Sequence, residues 1–578
     1  VVFDEKEEPI RANFPREVEW HKRDALPNVQ DKYRKIKGVS AILFIQTCAA
    51  EKRRRRKRGT FDDPDKRVFI NTDICEGCGD CGMQSNCVSI VPVETELGRK
   101  RAIDQSSCNK DFSCLNGFCP SFVTVEGAQP RKEATAEIET GDLAQPNLPE
   151  IDRTHNIVIT GVGGTGVVTI GAILAMAARL DGKGAGMMEM AGLAQKGGAV
   201  HIHCRIADAP EDISAIRVAT GEADTLIGGD LVVSAGAKTL GLMAHGRARA
   251  VVNSHEIMTG DFTRDTDFRI PSDQLALSLE ARLKNELTML DATTLAARII
   301  GDAIYSNMLL LGASWQLGQL PLTHEALAEA IRLNGTNVDE NLRAFEIGRW
   351  AAQNPEAAAK VTSSGVISKP ASLEEIIAFR EGHLTAYQSV RLARRYRKMV
   401  DRFESAEIKD AVARGYHKLL AYKDEYEVAR LLTSSRQQAE ATFSGDLKLT
   451  YHLAPPILSR VGSDGRPKKR RFGAWAERMW PYLARLKWLR GTPFDPFGYT
   501  ADRRLERRLI RQYERDMKRI LKEPTRNTEA AIEVAGLPLQ IRGFGPVKAD
   551  NATAAAMRRD ELLAAIETGQ DPSAVAAE

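Results

Sequence analysis

The sequence carries no signal peptide, no marked charge imbalance and no clear hydrophobic span. Its first residues are polar and it begins at Val1 without an initiator Met, so the chain is expected to start inside a larger protein. Nothing here signals secretion, so disulfides are not expected, and the clustered cysteines suit a reducing cytoplasm and a metal cofactor. The net charge is only +4 over 578 residues and by itself names no partner. The one uncharged run of membrane length, residues 161–178, holds five glycines and Thr165. It reads as a glycine loop followed by a buried helix, not as a membrane span. No nucleic-acid-binding motif is present. Hydrophobic residues make up 43% and charged residues 27%, as in an ordinary soluble protein, and the length allows three or four domains.

Cysteine is scarce, but seven of the nine lie between Cys75 and Cys119, in CEGCGDCGMQSNC and CNKDFSCLNGFCP. Three thiolates spaced C-x2-C-x2-C wrap one face of an iron–sulfur cube, and a distant Cys-Pro supplies the fourth ligand in bacterial ferredoxins. Cys75, Cys78, Cys81 and Cys119, the last followed by Pro120, therefore read as one [4Fe–4S] site. Gly77, Gly79 and Gly82 let the loop curl, because glycine tolerates positive φ. The remainder departs from the ferredoxin pattern. Cys87 follows Cys81 after five residues with no proline behind it, and the second half has no C-x2-C. Cys87, Cys108 and Cys114 offer only three ligands for a second cluster, to be completed by Asp111 or left with a vacant position. Zinc is the main alternative, although zinc sites favour paired C-x2-C knuckles.

Around this stretch the chain divides by pattern. Residues 1–60 contain the apolar run GVSAILFIQTC (38–48), expected as one buried strand whose sheet partners lie upstream, and the basic run EKRRRRKR (51–58). That run is either a solvated loop or a contact for anionic phosphates or an acidic protein. Residues 61–128 hold short strands at 68–71, 88–93 and 122–125 around the cysteines, a small β-rich ferredoxin-like module stabilised by its metal. Residues 129–150 are a polar linker with Pro130, Pro146 and Pro149.

Residues 151–352 alternate strand and helix, which predicts a doubly wound, parallel, Rossmann-like sheet. A strand at 155–160 leads into GVGGTG and a helix at 167–179, the context that a nucleotide fingerprint requires. Gly161 would make the turn, Gly163 and Gly164 would allow a ligand close to the helix N-terminus, and Gly166 would let helix and strand pack. The same motif serves any tight strand-to-helix turn. The acid expected after the second strand, Glu189, is poorly placed in GMMEMAG. Lys196, in GLAQKGGA, is a candidate contact for an anionic ligand or a partner domain.

Residues 353–370 form a second linker and residues 371–578 a mainly helical domain. Ser372 and Glu375 make a capping box. Leu373, Ile376, Ile377, Leu384 and Tyr387 share a helical face, as do Leu505, Leu509, Tyr513, Met517 and Leu521. Residues 460–526 hold twenty Lys and Arg against eight Asp and Glu, so the rest of the chain is net acidic.

Taken together, CAAEKRRRRKRG, CEGCGDCGMQSNC, IDQSSCNKDFSC, GFCPSFVTVEG, GVGGTGVVT and GLAQKGGAV resemble the long fused indolepyruvate ferredoxin oxidoreductases, members of the 2-oxoacid:ferredoxin oxidoreductase family. The resemblance covers nearly the whole chain. It implies that residues 1–60 end a thiamine-diphosphate domain, that 61–128 are the ferredoxin domain and that 151–352 are the gamma domain. RGTPFDPFGYTADRR and IRGFGPVK belong to a C-terminal extension whose role it does not give. It further implies oxidative decarboxylation of an aryl 2-oxoacid with coenzyme A, the electrons passing through [4Fe–4S] clusters to ferredoxin, in a homo-oligomer without nucleic acid or membrane. The chain departs from the family in lacking Gly-Asp-Gly with a following Asn, the diphosphate–magnesium signature. Thiamine diphosphate and Mg are therefore expected on upstream domains or a partner chain, and no catalytic acid or base is assigned here. Two rivals remain: an iron–sulfur oxidoreductase using a nicotinamide at the glycine loop, and a zinc-bearing basic interaction module.

Overall fold

The computed structural model describes all residues except 6, 132–137, 139, 192–197, 364–371, 457–458, 460–461, 463–465, 523–526 and 569–578. The chain folds as two units, one of Val1–Asp65 with Asn109–Asp111, the other of Lys66–Cys108 with Phe112–Glu578.

In the first unit, Val2–Phe3 is the middle of a three-stranded parallel sheet between His21–Lys22 and Phe44–Ile45. The expected buried strand over 38–48 does not form: only Phe44–Ile45 pairs, and Val39 is 104% exposed. A strand gains ladder hydrogen bonds only along its neighbour's length, and Val2–Phe3 offers two residues. The basic run is a helix, Ala49–Lys57, whose charges are mostly met within this unit. Glu51 pairs with Arg54 and Arg55, Lys52 with Glu7 at 2.5 Å, and Arg56 donates to the Asp62 carbonyl at 2.9 Å.

The second unit holds a six-stranded sheet in the order Gly184–Ala191, Ala199–Ala207, His155–Val162, Thr225–Gly228, Arg249–Asn253, Leu287–Leu290. The last four run parallel, but Ala199–Ala207 is antiparallel to both its neighbours, so the sheet is mixed and not wholly parallel as expected. The connection after Gly184–Ala191 is too short for a crossover helix, and a return hairpin is what remains. Helix Val167–Leu180 covers one face with Ile170, Ile173 and Leu174, and helix Ser306–Gln316 is buried along every residue. Gly312 and Gly348 let helices Ser306–Gln316 and Val338–Gln353 touch: a Cβ on Gly312 would lie 2.0 Å from the Phe345 carbonyl oxygen, and one on Gly348 1.9 Å from that of Leu309. Within the expected linker 353–370, Pro355–Ser363 is helical and buries Ala358. Pro at the first helical position and the alanines after it favour that outcome.

Within residues 61–128, Ile90–Val93 and Lys100–Ile103 form a two-stranded antiparallel sheet of their own, but the strands that flank the cysteines join a larger one. Arg67–Ile70 pairs with Phe122–Glu126, which pairs with Lys448–Leu453, which pairs with Arg470–Phe472, all antiparallel. The mainly helical C-terminal region thus lends two strands to the cysteine-bearing segment. Its helices pack Tyr387, Tyr396, Tyr416 and Tyr513 into one core, and the Ser372–Glu375 capping box forms as the sequence requires. No described helix is long and apolar enough to cross a membrane.

Two buried histidines make this fold acid-sensitive. Burial, with the charges of His201 and Lys469 respectively, pushes His203 and His452 down to about 4 from 6.5. His203 Nδ1 accepts from the Val218 N–H at 2.9 Å, and His452 Nε2 meets the Thr124 hydroxyl at 3.0 Å. The unfolded chain takes up these protons near pH 6.5 and the folded chain only near pH 4. Their contribution is therefore complete above the higher value and is lost as pH falls toward the lower. Thermal melts across this window are expected to lose on the order of 2 kcal/mol per histidine. A melting temperature that holds or rises on acidification contradicts this.

Candidate metal centre

The cysteine loop leaves strand Arg67–Ile70 through Asn71, which is fully buried and ties the loop down from both ends of its amide. Its Oδ1 accepts from the N–H groups of Asp73 and Ile74, and its Nδ2 donates to the Leu431 carbonyl and the Ser435 hydroxyl. Gly77 and Gly79 adopt the anticipated positive φ, at 67° and 76°. Gly82 does not; it sits inside helix Asp80–Ser85, where its bare Cα admits the Thr263 backbone.

Cys119 is brought to this loop by two residues the spacing did not reveal. Asp80 Oδ2 accepts the Phe118 N–H at 2.5 Å, and Asp80 Oδ1 accepts from Arg466 at 2.9 Å. At Gly117 a Cβ would lie 2.9 Å from the Cys81 Cα, so only glycine lets the strand of chain before Cys119 pass. Cys75, Cys81 and Cys114 lie in one buried cluster with Val68, Ile70 and Phe122, and Cys87 and Cys119 pack against it. Asp111, the non-cysteine ligand considered for a second cluster, belongs to the other unit. Cys108 follows Asp104, whose carbonyl its N–H meets at 3.1 Å.

Burial holds the thiols of the loop in the neutral form when no metal is bound. Burial, then the charge of Cys119, pushes the Cys78 thiol up to about 12; the same two causes carry Cys81 well above its usual range, and burial raises Cys119. Facing these thiols are buried cations. Burial and Lys423 push Lys100 down to about 7, and burial pushes Lys423 down to about 8, while Cys75 works to raise both. Arg101 and Lys469 are lowered by burial and raised by Cys81 and Cys119 respectively. Buried thiols and buried cations are each unfavourable alone. Thiolates bound to a cluster would give these cations their counter-charge, and the cations would favour the thiolate form. Among the described residues no three His, Cys, Asp or Glu side chains gather closely enough for a single metal ion.

Much of this setting comes from the C-terminal region. Glu76 pairs with Lys418 and, at 2.9 Å, with Lys423, which also donates to the Ile74 and Cys75 carbonyls at 2.9 and 3.2 Å. Lys469 donates to the Leu115 carbonyl at 3.1 Å. In IRGFGPVK, a Cβ on Gly543 would lie 3.4 Å from the Cys78 Cβ, and one on Gly545 2.5 Å from the Phe118 ring. That glycine pair lies against the cysteine loop. The only sequence signal for these contacts is lysine inside an otherwise apolar helical stretch, GYHKLLAYK. A cavity of about 220 Å³ opens beside Cys119 and Pro120, bounded by Lys423, Lys469, Glu506 and Phe544.

The glycine loop of the large sheet is used differently from a nucleotide fingerprint. Strand His155–Val162 runs through Gly161, and the Gly163 N–H donates to the Gly198 carbonyl at 2.8 Å. Gly164 and Gly166 take positive φ, and a Cβ on Gly166 would lie 2.4 Å from the Asn307 amide, so the space at Gly166 is taken by helix Ser306–Gln316 and not by the strand that was expected there. Buried Asp230 lies beside the loop, hydrogen-bonded to Val162, an awkward neighbour for a phosphate. Glu189 lies on the edge strand, separated from His155–Val162 by Ala199–Ala207, and not on the adjacent parallel strand a ribose contact needs. Lys196 lies outside the described residues.

A family model described as pyruvate ferredoxin/flavodoxin oxidoreductase matches residues 156–351, and one described as a family of unknown function, DUF6537, matches residues 373–561. The indolepyruvate oxidoreductase subunit IorB of Thermococcus kodakarensis is 29% identical over 203 residues, 35% of this chain and 97% of its own. That of Methanothermobacter thermautotrophicus is 30% identical over 200 residues, 34% of this chain and 97% of its own. The gamma subunit of a keto/oxoacid ferredoxin oxidoreductase from Geobacter sulfurreducens aligns with 34% of this chain and 98% of its own at 23% identity, with a TM-score of 0.25. Matching the archaeal subunits along nearly their whole length, the chain belongs to the 2-oxoacid ferredoxin oxidoreductases, alongside the indolepyruvate oxidoreductase subunits.

Proposed function

We propose that this chain is the electron-handling part of a cytoplasmic arylpyruvate ferredoxin oxidoreductase. An aryl 2-oxoacid, coenzyme A and a pair of oxidised ferredoxins give the aryl-acetyl-CoA, carbon dioxide, a proton and the reduced ferredoxins. Thiamine diphosphate with magnesium, on domains or chains beyond this sequence, supplies carbanion stabilisation when bound. Here Cys75, Cys78, Cys81 and Cys119 hold one [4Fe–4S] cluster, which supplies one-electron acceptance. Cys87, Cys108 and Cys114 are ligands in reserve for a second. The observation that supports this most is that Asp80 and the bare Cα of Gly117 bring Cys119 against the Cys75–Cys81 loop.

Ferredoxin, and not NAD, is the acceptor in this reading. The Gly163 N–H is engaged, Asp230 adjoins the loop, and Glu189 is on the wrong strand. Steady-state assays of the complete enzyme with indolepyruvate and coenzyme A are expected to reduce ferredoxin and leave NAD untouched. NAD reduction by ferredoxin-free enzyme would sink this reading.

A further inference from the structure

Helix Ala501–Ile520 has two chemically opposed sides. Asp502, Arg503, Leu505 and Glu506 line the cavity that opens beside Cys119. At 100° per residue the opposite side carries Arg504, Arg508, Arg511, Arg515 and Lys518, spaced alternately four and three apart along about 21 Å of helix. All five are exposed, and among the described residues none has a carboxylate within ion-pair distance. The one acid beside them, Glu514, is engaged elsewhere: it pairs with Arg395 at 2.5 Å and accepts from the Tyr416 hydroxyl. Arg511 donates to the Arg507 carbonyl at 3.2 Å.

Like charges three and four apart repel along a helix, and a solvated helix ordinarily intersperses acids to offset them. An uninterrupted stripe leaves that repulsion to be relieved from outside. Next to its N-terminal end, before the Thr500 cap, Phe494 is 81% and Tyr499 60% exposed, with the Tyr499 hydroxyl fixed on the Pro493 carbonyl at 2.8 Å. Exposed aromatics beside arginines are the composition of protein interfaces.

We infer that this stripe is the docking face for an acidic one-electron carrier protein. The inference rests on the functional reading above, and it places the exit on the C-terminal region instead of the basic run 51–58. Charge complementarity selects an acidic partner. The stripe and the Cys119-side cavity lie on opposite sides of one helix, roughly 10–12 Å across, which selects a carrier that needs proximity to the centre. In the step itself the centre is oxidised by one electron and the carrier reduced by one; no bond is made or broken. The basic run competes poorly, because Glu51, Glu7 and the Asp62 carbonyl already meet much of its charge.

The test compares the complete wild-type enzyme with Arg508→Glu/Arg511→Glu/Arg515→Glu and with Arg53→Glu/Arg54→Glu/Arg55→Glu. Each is assayed with acidic ferredoxin across ionic strength and with methyl viologen, a small acceptor that needs no docking face. The stripe variant is expected to raise the ferredoxin KM by about tenfold at low salt, to flatten its salt dependence, and to keep the viologen rate. An unchanged ferredoxin KM overturns the inference. So does a KM rise confined to the 53–55 variant, or binding of RNA that the stripe variant alone loses while ferredoxin turnover persists. Wild-type enzyme that reduces neither acceptor is a different failure: it removes the functional reading, and the docking face with it.

Discussion

Replacing Cys78 by serine removes the reducible iron–sulfur signal from anaerobically prepared protein and takes ferredoxin reduction to background. In the proposed ligand set Cys78 is the middle cysteine of the C-x2-C-x2-C loop, and burial followed by the charge of Cys119 pushes its thiol up to about 12. A serine hydroxyl in that place is a far poorer ligand to iron, and the cations opposite lose part of their counter-charge. Cys204 provides the contrast. It is fully buried, where Cys78 is only partly so, and is pushed up to about 12 by burial alone, within strand Ala199–Ala207. Cys204→Ser is expected to leave the signal in place. Electron paramagnetic resonance of dithionite-reduced samples, with iron and sulfide analysis, distinguishes the two. Zinc without inorganic sulfide in the wild-type protein, or an undiminished signal in Cys78→Ser, refutes the ligand assignment.

Replacing Asp424 by alanine destabilises the C-terminal region by about 3–5 kcal/mol, because it leaves a buried guanidinium without its counter-ion. Arg490 and Asp424 pair through two hydrogen bonds of 2.5 and 2.8 Å, with side chains 5% and 3% exposed. The guanidinium lies 3.8 Å from the centre of the Tyr387 ring and donates to the Tyr387 carbonyl and to Gln388. Asp424 also caps helix Glu425–Leu432 by accepting the Glu427 N–H, worth about a further 1 kcal/mol. Together these losses lower the melting temperature by on the order of 10 °C. Arg490→Lys keeps the charge but not the planar fork, and costs less. Because Asp424 directly follows Lys423, the Asp424 variant also loosens the lysine that holds the Ile74 and Cys75 carbonyls. Calorimetry of both variants tests the ranking, and an unchanged melting temperature for Asp424→Ala rejects it.

Local spacing alone determined a good deal of this protein. The positive φ of Gly77 and Gly79 follows from a loop that must place three thiols within seven residues. The strand at 155 and the helix at 167 follow from an apolar run, a glycine turn and a helical stretch without charge as far as Ala178, and the Ser372–Glu375 box follows from capping chemistry. These features are legible because each is settled by hydrogen bonds and sterics within a few residues. Tertiary structure decided the rest. No periodicity announces that Phe122–Glu126 pairs with Lys448–Leu453, or that Ala199–Ala207 reverses inside an otherwise parallel sheet. Nor does the sequence show that Lys423, Lys469 and Gly543 come to face cysteines more than three hundred residues away. The two basic segments make the same point. The run 51–58 is largely answered by its own unit, and in residues 460–526 Arg466 and Arg490 find Asp80 and Asp424 while the stripe from Arg504 to Lys518 finds none among the described residues, because ion pairing depends on where the chain brings its carboxylates, and the linear order does not carry that distance.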